Sequence, residues 1–371
     1  MATAYTPGLK VSAFTTIRKM RRLPLKGEVV VSVGQEVGPD DVVARTLLPG
    51  IVRTVRAAEI LGVDPDELPA LLMVKVGDVV EPGQLIAQSR SFFGLFRSEC
   101  RTPIGGTVEL ISEATGHVGI REPPSPIEVK AYVRGRVAEV LPGEGVVVEA
   151  RGALIQGIFG VGGERRGAIA MAVDDPGRPV TEAEVRPEHA GKLLCGGCNI
   201  TGDALRRAAE VGVAGVVVGA IIDRDLVDFL GYDIGVAITG HEAIPLTLIV
   251  TEGFGTIRMA QRTFDLLRSL EGETASFNGA TQIRAGVIRP EVIVPRADGV
   301  PSEETARHDL EIGVPIRIIR EPYFGALATV AALPPEPQPI PSGARVRVLE
   351  AELADGRRVI VPRANVELIE G

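Results

Sequence analysis

The first third of the chain alternates apolar and polar residues in short runs, the pattern of half-buried β-strands. One unit of this pattern occurs twice: residues 31–44, VSVGQEVGPDDVVA, match residues 74–87, VKVGDVVEPGQLIA, at a constant offset of 43. Each copy predicts a short strand, a turn at Gly-x-x-Val-x-Pro and a second strand. We therefore expect a duplicated, β-rich unit.

The segment between the copies and the segment after them have different patterns. Residues 57–72, AAEILGVDPDELPALL, have helical spacing with a start signal at Asp64, so a short inserted helix is predicted. Residues 155–167 combine several glycines with Arg165 and Arg166 and could cradle a phosphate. Because a further strand pattern follows where a phosphate loop needs a helix, we favour a glycine-permitted turn.

The period of the apolar positions changes in the middle third, which reads as α/β. A short strand, a helix and a fully apolar strand follow one another from residue 192, and this order predicts parallel pairing. The run from 275 to 283 contains Asn278-Gly279, the signal of a tight hairpin turn. The predicted elements are strands at 192–195, 215–218, 234–238, 246–250 and 275–283, and helices at 202–211, 223–230 and 256–270.

The carboxyl ends of the predicted parallel strands carry small polar residues and glycines. In open α/β sheets ligands gather at these ends, and free N–H groups at helix starts suit an anion. The same residues also suit plain helix capping, and the histidine among them fits either a general base or a surface loop. The candidate ligand-binding residues are Asn199, Thr201, Gly202, Thr239, His241, Glu242, Thr251 and Gly253.

Composition narrows the function classes. The 371 residues carry a formal net charge of −8, which argues against a protein whose whole surface grips nucleic acid. Residues 1–26 contain lysines and arginines but no acid, and they read as a basic arm or an edge strand. The longest apolar stretch, 211–222, is too short to cross a bilayer, and the start lacks the features of a secretory signal. No membrane span and a cytoplasmic location are expected.

The cysteines predict no cofactor. Cys195 and Cys198 form a CxxC after a strand, but one CxxC supplies only two zinc ligands, and no thioredoxin-like context surrounds it. We predict buried structural thiols, no disulfide framework and no metal site. No catalytic residues are assigned, because the chain has no nucleophile elbow, zincin helix or Walker loop.

The duplicated V-x-x-G-D-x-V-x-x-G-Q-x-L-A pattern resembles the barrel-sandwich hybrid of the biotinyl/lipoyl-carrier superfamily, most closely non-carrier members such as RnfC-type domains. In carriers a modifiable lysine lies on a hairpin tip. The matching tips here, residues 48–51 and 104–107, contain no lysine. The resemblance therefore implies a compact platform over about residues 27–140 rather than a carrier. The segments at 191–194, 208–220 and 244–250 resemble swivelling β/α domains such as protease-associated modules.

Residues 313–330, GVPIRIIREPYFGALATV, resemble the KOW motif of ribosomal proteins and of transcription elongation factors of the NusG type. The resemblance implies a small SH3-like barrel and, as partners, RNA or a ribonucleoprotein or transcription complex. Tyr323 fits either base stacking or packing inside the barrel. The candidate nucleic-acid contacts are Arg317, Arg320, Tyr323, Arg345 and Arg347.

The sequence thus predicts a multidomain chain of mixed α/β and all-β class. Its parts are a basic N-terminal arm (1–26), a barrel-sandwich hybrid β domain with an extension (27–185), an α/β swivelling-like domain (186–300) and a KOW-like SH3 barrel (310–371). The leading hypothesis is a non-catalytic binding or adaptor protein associated with RNA, the ribosome or the transcription machinery. The alternative is a sensor or enzyme for a small anionic ligand at the α/β strand ends.

Overall fold

The computed structural model describes residues 9–91, 96–232, 244–281, 288–297, 299, 310–318, 322–323, 326–340, 345–353 and 355–368. Strands dominate and the helices are few and short, in keeping with the mixed class that the sequence predicts. Within these residues no helix has the length and apolar character needed to span a membrane. The strand predicted at 234–238 lies outside the described residues.

Much of the segment predicted as a basic arm, residues 1–26, forms a long strand in the described part of the chain. Strand β1 (Val11–Arg22) pairs antiparallel with β13 (Gly145–Gln156), and Ile17 on β1 is buried. The basic residues of β1 form ion pairs with acids of the same large sheet and of the turn before β13: Arg18 with Glu139 and Glu149, Lys19 with Glu291, Arg21 with Glu164, and Arg22 with Glu144. The sheet therefore neutralises the only strongly basic segment of the sequence.

The repeated unit folds twice in the same way. Its strands and helices are β2 (Glu28–Val29), β3 (Glu36–Val37), β4 (Val42–Leu48), β5 (Val52–Val55), α1 (Ala57–Leu61), α2 (Leu68–Leu71), β6 (Val79–Val80), β7 (Leu85–Ser91), β8 (Phe96–Arg101), β9 (Gly106–Ser112), β10 (His117–Arg121) and β11 (Ser125–Lys130). They form sheets in the orders β11-β4-β2, β5-β10-β9-β6 and β7-β8, while β3 pairs with β12 (Gly135–Leu141).

Equivalent backbone bonds show that the duplication extends to the turns. Gly34 donates to Val137 at 2.8 Å, and Gly77, 43 positions later, donates to Val108 at 2.7 Å. Both glycines have left-handed backbone angles, φ +88° and +97°, which residues with a Cβ adopt only at a cost. The predicted inserted helix is present as α1 and α2. It is interrupted at Gly62, whose φ of +68° ends α1.

A large mixed sheet joins the first half of the chain to the middle. After β13 come β14 (Phe159–Val161), β15 (Glu164–Met171), β16 (Leu193–Cys195), α3 (Gly202–Val211), β17 (Gly215–Ile221), α4 (Asp223–Leu230), β18 (Thr247–Phe254), α5 (Gln261–Ser269), β19 (Thr274–Asn278) and β20 (Glu291–Pro295). The order is β14-β18-β17-β16-β15-β19-β20-β13-β12-β3, and β1 lies beside β13. Strands β15 to β18 run parallel, as the βαβ pattern predicts. The division expected at residues 185/186 does not coincide with a break in this sheet.

Two local predictions in this region are wrong. Helix α5 starts at Gln261 rather than at residue 256. Residues 256–260 precede the helix as non-helical chain, and Met259 among them is buried. The tight hairpin turn at Asn278-Gly279 is also wrong. Strands β19 and β20 do pair as neighbours, with Asn278 opposite Glu291, but residues 279–290 connect them.

The last part of the chain forms its own five-stranded sheet. It contains β21 (Pro315–Ile318), β22 (Leu327–Ala332), β25 (Val348–Leu353), β26 (Arg358–Pro362) and β27 (Val366–Leu368), in the order β26-β25-β22-β21-β27. Two short strands, β23 (Gln338–Pro339) and β24 (Arg345–Val346), form a separate ribbon. A 3₁₀ turn at Arg363–Asn365 precedes β27, and the sheet surrounds a hydrophobic cluster of its own.

Candidate functional site

The hydroxyl groups at the parallel strand ends are engaged by the protein's own backbone. Thr201 lies before α3, and its Oγ1 accepts a hydrogen bond from the Ala204 N–H at 3.2 Å, so it caps the helix. The Thr251 hydroxyl donates to the Val218 carbonyl at 3.3 Å on the neighbouring strand. Both side chains therefore stabilise the fold at the positions where an anionic ligand was expected.

Asn199 and Gly202, two further predicted residues of this site, also contact groups of the protein itself. Asn199 is buried and its Nδ2 donates to Thr256 Oγ1 at 3.4 Å. Gly202 is the first residue of α3, and the Asp225 carboxylate lies close enough that a Cβ at Gly202 would be 3.3 Å from its Oδ1. This helix N-terminus thus faces a carboxylate of its own chain. Gly253 lies inside β18 opposite Ala220, and Thr239, His241 and Glu242 lie outside the described residues.

The structure reveals a buried charge cluster that the sequence analysis missed. Arg317 on β21 is 3% exposed, and it donates through Nη2 to Glu252 Oε2 at 2.6 Å and through Nη1 to Glu367 Oε1 at 2.9 Å. Arg289 donates to the other oxygen of Glu367 at 2.7 Å. We call Glu252, Arg289, Arg317 and Glu367 the buried quartet. It joins β18 of the large sheet to β21 and β27 of the C-terminal sheet.

Each carboxylate of the buried quartet has two hydrogen-bond donors. Glu252 also accepts a hydrogen bond from the Ala260 N–H at 3.0 Å, which gives this backbone donor just before α5 a partner. Buried charges require this degree of pairing, because an unpaired charge away from water is costly. Among the described residues, Arg317 Nε has no hydrogen-bond partner. A sequence signal existed: a glutamate and an arginine each interrupt an otherwise apolar strand, at LIVTEGF and PIRII.

The position of Arg317 corrects its predicted role. A guanidinium held between two buried carboxylates is not available to a phosphate, so Arg317 is removed from the candidate nucleic-acid contacts. Arg345 and Arg347 are exposed, and Tyr323 is half-buried against the C-terminal hydrophobic cluster. Arg320 lies outside the described residues.

A second polar cluster lies between β1 and the large sheet. Arg21 forms two hydrogen bonds with Glu164, at 2.5 and 2.8 Å, and its guanidinium lies over the Tyr132 ring at 5.3 Å from the ring centroid. Lys19 pairs with the buried Glu291. Tyr132 has a left-handed φ of +71°, unusual for a residue with a large side chain. Burial, followed by the nearby carboxylates of Glu291 and Glu164, raises the pKa of its hydroxyl well above the usual value, so the group keeps its proton.

The two CxxC thiols are buried, as predicted. The Cys195 Sγ donates to the Leu193 carbonyl, and the Cys198 Sγ donates to Asn199 Oδ1, each at 3.6 Å. Burial raises the pKa of both thiols above the ordinary value, which disfavours the reactive thiolate. No group of three or more potential metal ligands occurs in the part of the chain that the structure describes.

The chain was compared with known families and proteins. No protein-family model matches it, and no curated protein is significantly similar to it.

Proposed function

We propose that this protein is a non-catalytic adaptor whose C-terminal sheet contacts RNA or a ribonucleoprotein or transcription complex. The observation that carries the proposal is the different state of the exposed arginines in the C-terminal part of the chain, in this sheet and in the β23-β24 ribbon that precedes β25. Arg357 and Arg358 pair with Asp355 and Glu352, at 2.7 and 3.1 Å. By contrast, Arg345 and Arg347 are exposed and form no ion pair with any described residue.

Two cations without carboxylate partners can be used to neutralise phosphates. Among the described residues, Arg345 donates to the Pro337 carbonyl at 3.2 Å and has no carboxylate partner. Arg347 directly precedes β25, and its carbonyl accepts from the Arg363 N–H at 2.9 Å, so its backbone is fixed. A fixed backbone with a free cationic side chain is the arrangement expected of a residue that docks against a phosphate backbone.

The topology of the C-terminal sheet supports the SH3-like barrel that the KOW resemblance implies. Strands β21, β22, β25 and β26 are paired in chain order, a 3₁₀ turn follows, and β27 returns to pair with β21. This meander with a returning last strand is the arrangement of small five-stranded barrels. Fold alone does not assign function, so the exposed arginines, rather than the barrel, carry the proposal.

The duplicated N-terminal unit supports the platform part of the proposal, a barrel-sandwich hybrid. Its equivalent residues Val37 and Val80 are both buried, and the turns before them have the same hydrogen bonds. Hairpin tips without lysine are consistent with a structural rather than a carrier role.

The experiment is a fluorescence anisotropy titration of the full chain with a labelled single-stranded RNA at several salt concentrations. We expect binding that weakens as salt rises. The double variant R345A/R347A should lower the slope of log K against log salt by about 1.4, at ~0.7 per phosphate contact on a single strand. The matched control is R357A/R358A, which removes two arginines that already have carboxylate partners and should leave the slope unchanged.

Crosslinking in cells, followed by sequencing of bound RNA, supplies the second measurement. Recovery of RNA or of ribonucleoprotein components with the natural chain, and its loss with R345A/R347A, supports the proposal. An absence of both RNA binding in solution and crosslinked RNA would overturn it.

A further inference from the structure

One edge of the three-stranded sheet β11-β4-β2 remains open. The Val30 N–H donates to the Val43 carbonyl at 3.0 Å, so residues 28 and 30 direct their backbone groups toward β4. In an antiparallel pair the intervening residue directs its N–H and C=O away from the partner. Val29 therefore presents its backbone groups outward, and no described residue bonds to them or to those of Val31.

A groove begins at this edge and extends over residues of all three strands of the sheet. It has a volume of about 610 Å³ and is lined by residues 28–32 together with Val42, Arg45 and Glu128. That volume lies within the range of known ligand sites, ~300–1,000 Å³. Val30, at the centre of the edge, is 38% exposed, which leaves an apolar surface beside the outward backbone groups.

Charges alternate across the sheet up to the open edge. Glu128, Arg45 and Glu28 lie directly opposite one another on β11, β4 and β2, and Arg45 Nε donates to Glu28 Oε2 at 2.9 Å. The row thus ends in a carboxylate. Opposite charges on directly facing residues stabilise strand pairs, and like charges destabilise them. A strand added beyond β2 would therefore favour a lysine or arginine opposite Glu28.

The second copy of the repeat shows what is special about this edge. The positions equivalent to Glu28 and Arg45 are Leu71 and Gln88, 43 residues later, so the charge row is absent there. Met73 makes the bond equivalent to that of Val30, donating to Ile86 at 2.9 Å, but α2 immediately precedes this segment. The two copies share this backbone hydrogen bond. They differ in the charge row, which only the first copy has, and in the helix α2, which precedes the segment only in the second copy.

We propose that the edge formed by residues 28–32 binds an extended basic peptide of a partner protein as an added β-strand. The backbone of Val29 supplies the hydrogen bonds, Glu28 selects a lysine or arginine, and Val30 takes an apolar residue two positions from it. Strand addition of this kind obtains affinity from the main chain and specificity from alternate side chains. The site contains neither Arg345 nor Arg347, so the peptide-binding proposal and the proposed RNA contact are tested by separate variants.

The test uses the full chain and a synthetic heptapeptide, acetyl-TKTVTKT-amide, in which a valine lies two positions from each lysine, with the matched acidic peptide acetyl-TETVTET-amide. Backbone amide signals are followed by NMR during the titration. We expect the signals of residues 28–32 to shift with the basic peptide, and at least about fivefold weaker binding of the acidic one.

Two variants examine the two sources of affinity. V29P removes an outward N–H that takes no part in the β2–β4 ladder, a position where an edge strand tolerates proline. E28K reverses the charge at the end of the row. Each should weaken binding of the basic peptide at least about fivefold, and E28K should improve binding of the acidic one. The control E109K breaks a similar cross-strand pair, Glu109 with Arg121, in another sheet and should leave binding unchanged.

Four results would overturn the proposal. The first is equal affinity for the two peptides, and the second is binding unaffected by both V29P and E28K. The third is a dimer of the natural chain in light scattering that V29P dissociates, because the edge would then pair with a second copy rather than with a basic peptide. The fourth is the absence of any shift in the amide signals of residues 28–32 at millimolar peptide.

Discussion

Arg317 and Glu252 meet at 2.6 Å in the interior, although one belongs to the C-terminal sheet and the other to a parallel strand of the large sheet. Glu252 lies near the carboxyl end of β18, the edge where ligands of open α/β sheets gather. Part of that edge is thus occupied by the protein's own C-terminal unit. The contact links two features that the sequence analysis treated as separate sites.

The first prediction concerns the buried quartet. Replacing Arg317 with methionine should lower the free energy of unfolding by about 3–5 kcal/mol, because Glu252 and Glu367 would remain buried with a guanidinium partner removed. Chemical denaturation measures the change. The exposed pair of Arg357 and Asp355 supplies the control, since R357M should leave the unfolding transition unchanged. A wild-type transition for R317M would contradict the assignment.

The second prediction concerns the acid stability of the region around His189. This side chain is buried and accepts a hydrogen bond from the Arg186 N–H at 3.1 Å. Burial, and then the positive charge of Arg186, lower the pKa of His189 below its usual 6.5. The unfolded chain therefore takes up a proton at a pH where the folded chain does not, and the free energy of unfolding falls as the pH drops through 6.5.

The variant H189N tests this linkage. It cannot titrate in this range but keeps an acceptor for the Arg186 N–H. Denaturation at pH 7.5 and at pH 5.5 should show a larger loss of stability for the natural chain than for H189N. Equal losses of stability in the two proteins would mean that His189 does not contribute to the acid sensitivity of the fold.

The third prediction concerns thiol reactivity. Cys100, Cys195 and Cys198 are buried, and burial raises the pKa of each thiol. Ellman's reagent should therefore react with them slowly in the folded chain and rapidly after unfolding in guanidinium. Mass spectrometry after partial labelling identifies which thiol reacts. Fast labelling of Cys195 or Cys198 in the folded state would favour a redox role for the CxxC.

The fourth prediction concerns the duplicated turn. G77A should destabilise the protein by about 1–2 kcal/mol, because φ is +97° and no atom lies near an added Cβ, so the cost is conformational. G34A should cost somewhat more, since its Cβ would lie 3.1 Å from Arg136 Nη2. Gly38 has an ordinary φ and room for a methyl group, and G38A is the control. Similar unfolding midpoints for G77A and G38A would contradict this account.

Local patterns predicted much of the fold. Helices α3 and α4 have the predicted bounds because capping and apolar spacing act within one or two turns. The repeat was visible because its two copies require the same left-handed glycine and the same buried valine. The predicted start of α5 was wrong because the N–H of Ala260 donates to the carboxylate of Glu252 on the preceding strand. The residues from Thr256 onward, which were predicted to begin the helix, do not supply this acceptor.

The candidate sites were harder to predict, because they depend on contacts between distant segments. Nothing near Arg317 in the sequence indicates that Glu252, 65 positions away, would bury and neutralise it. The basic residues of β1 likewise find their acids only in the folded sheet. By contrast, the exposure of Arg345 and Arg347 agrees with the alternation of arginine and valine at residues 345–348, the pattern of a strand with one solvent-facing side. The strand pattern thus indicates which positions are exposed and which charges interrupt an apolar strand, but the partners of the buried charges follow only from the fold.

The pairing of β1 with β13 has a consequence during synthesis. Lys10 and Gln156, which are hydrogen-bonded across this part of the sheet, are 146 residues apart. At ~5–20 residues per second the ribosome needs on the order of 10 s to produce the partner after the first strand has emerged. During that interval Val11–Arg22 is an unpaired strand that carries Phe14 and Ile17, both of which are buried in the folded protein. Its four lysines and arginines, the same ones that later pair with carboxylates, would keep the unpaired nascent chain from aggregating.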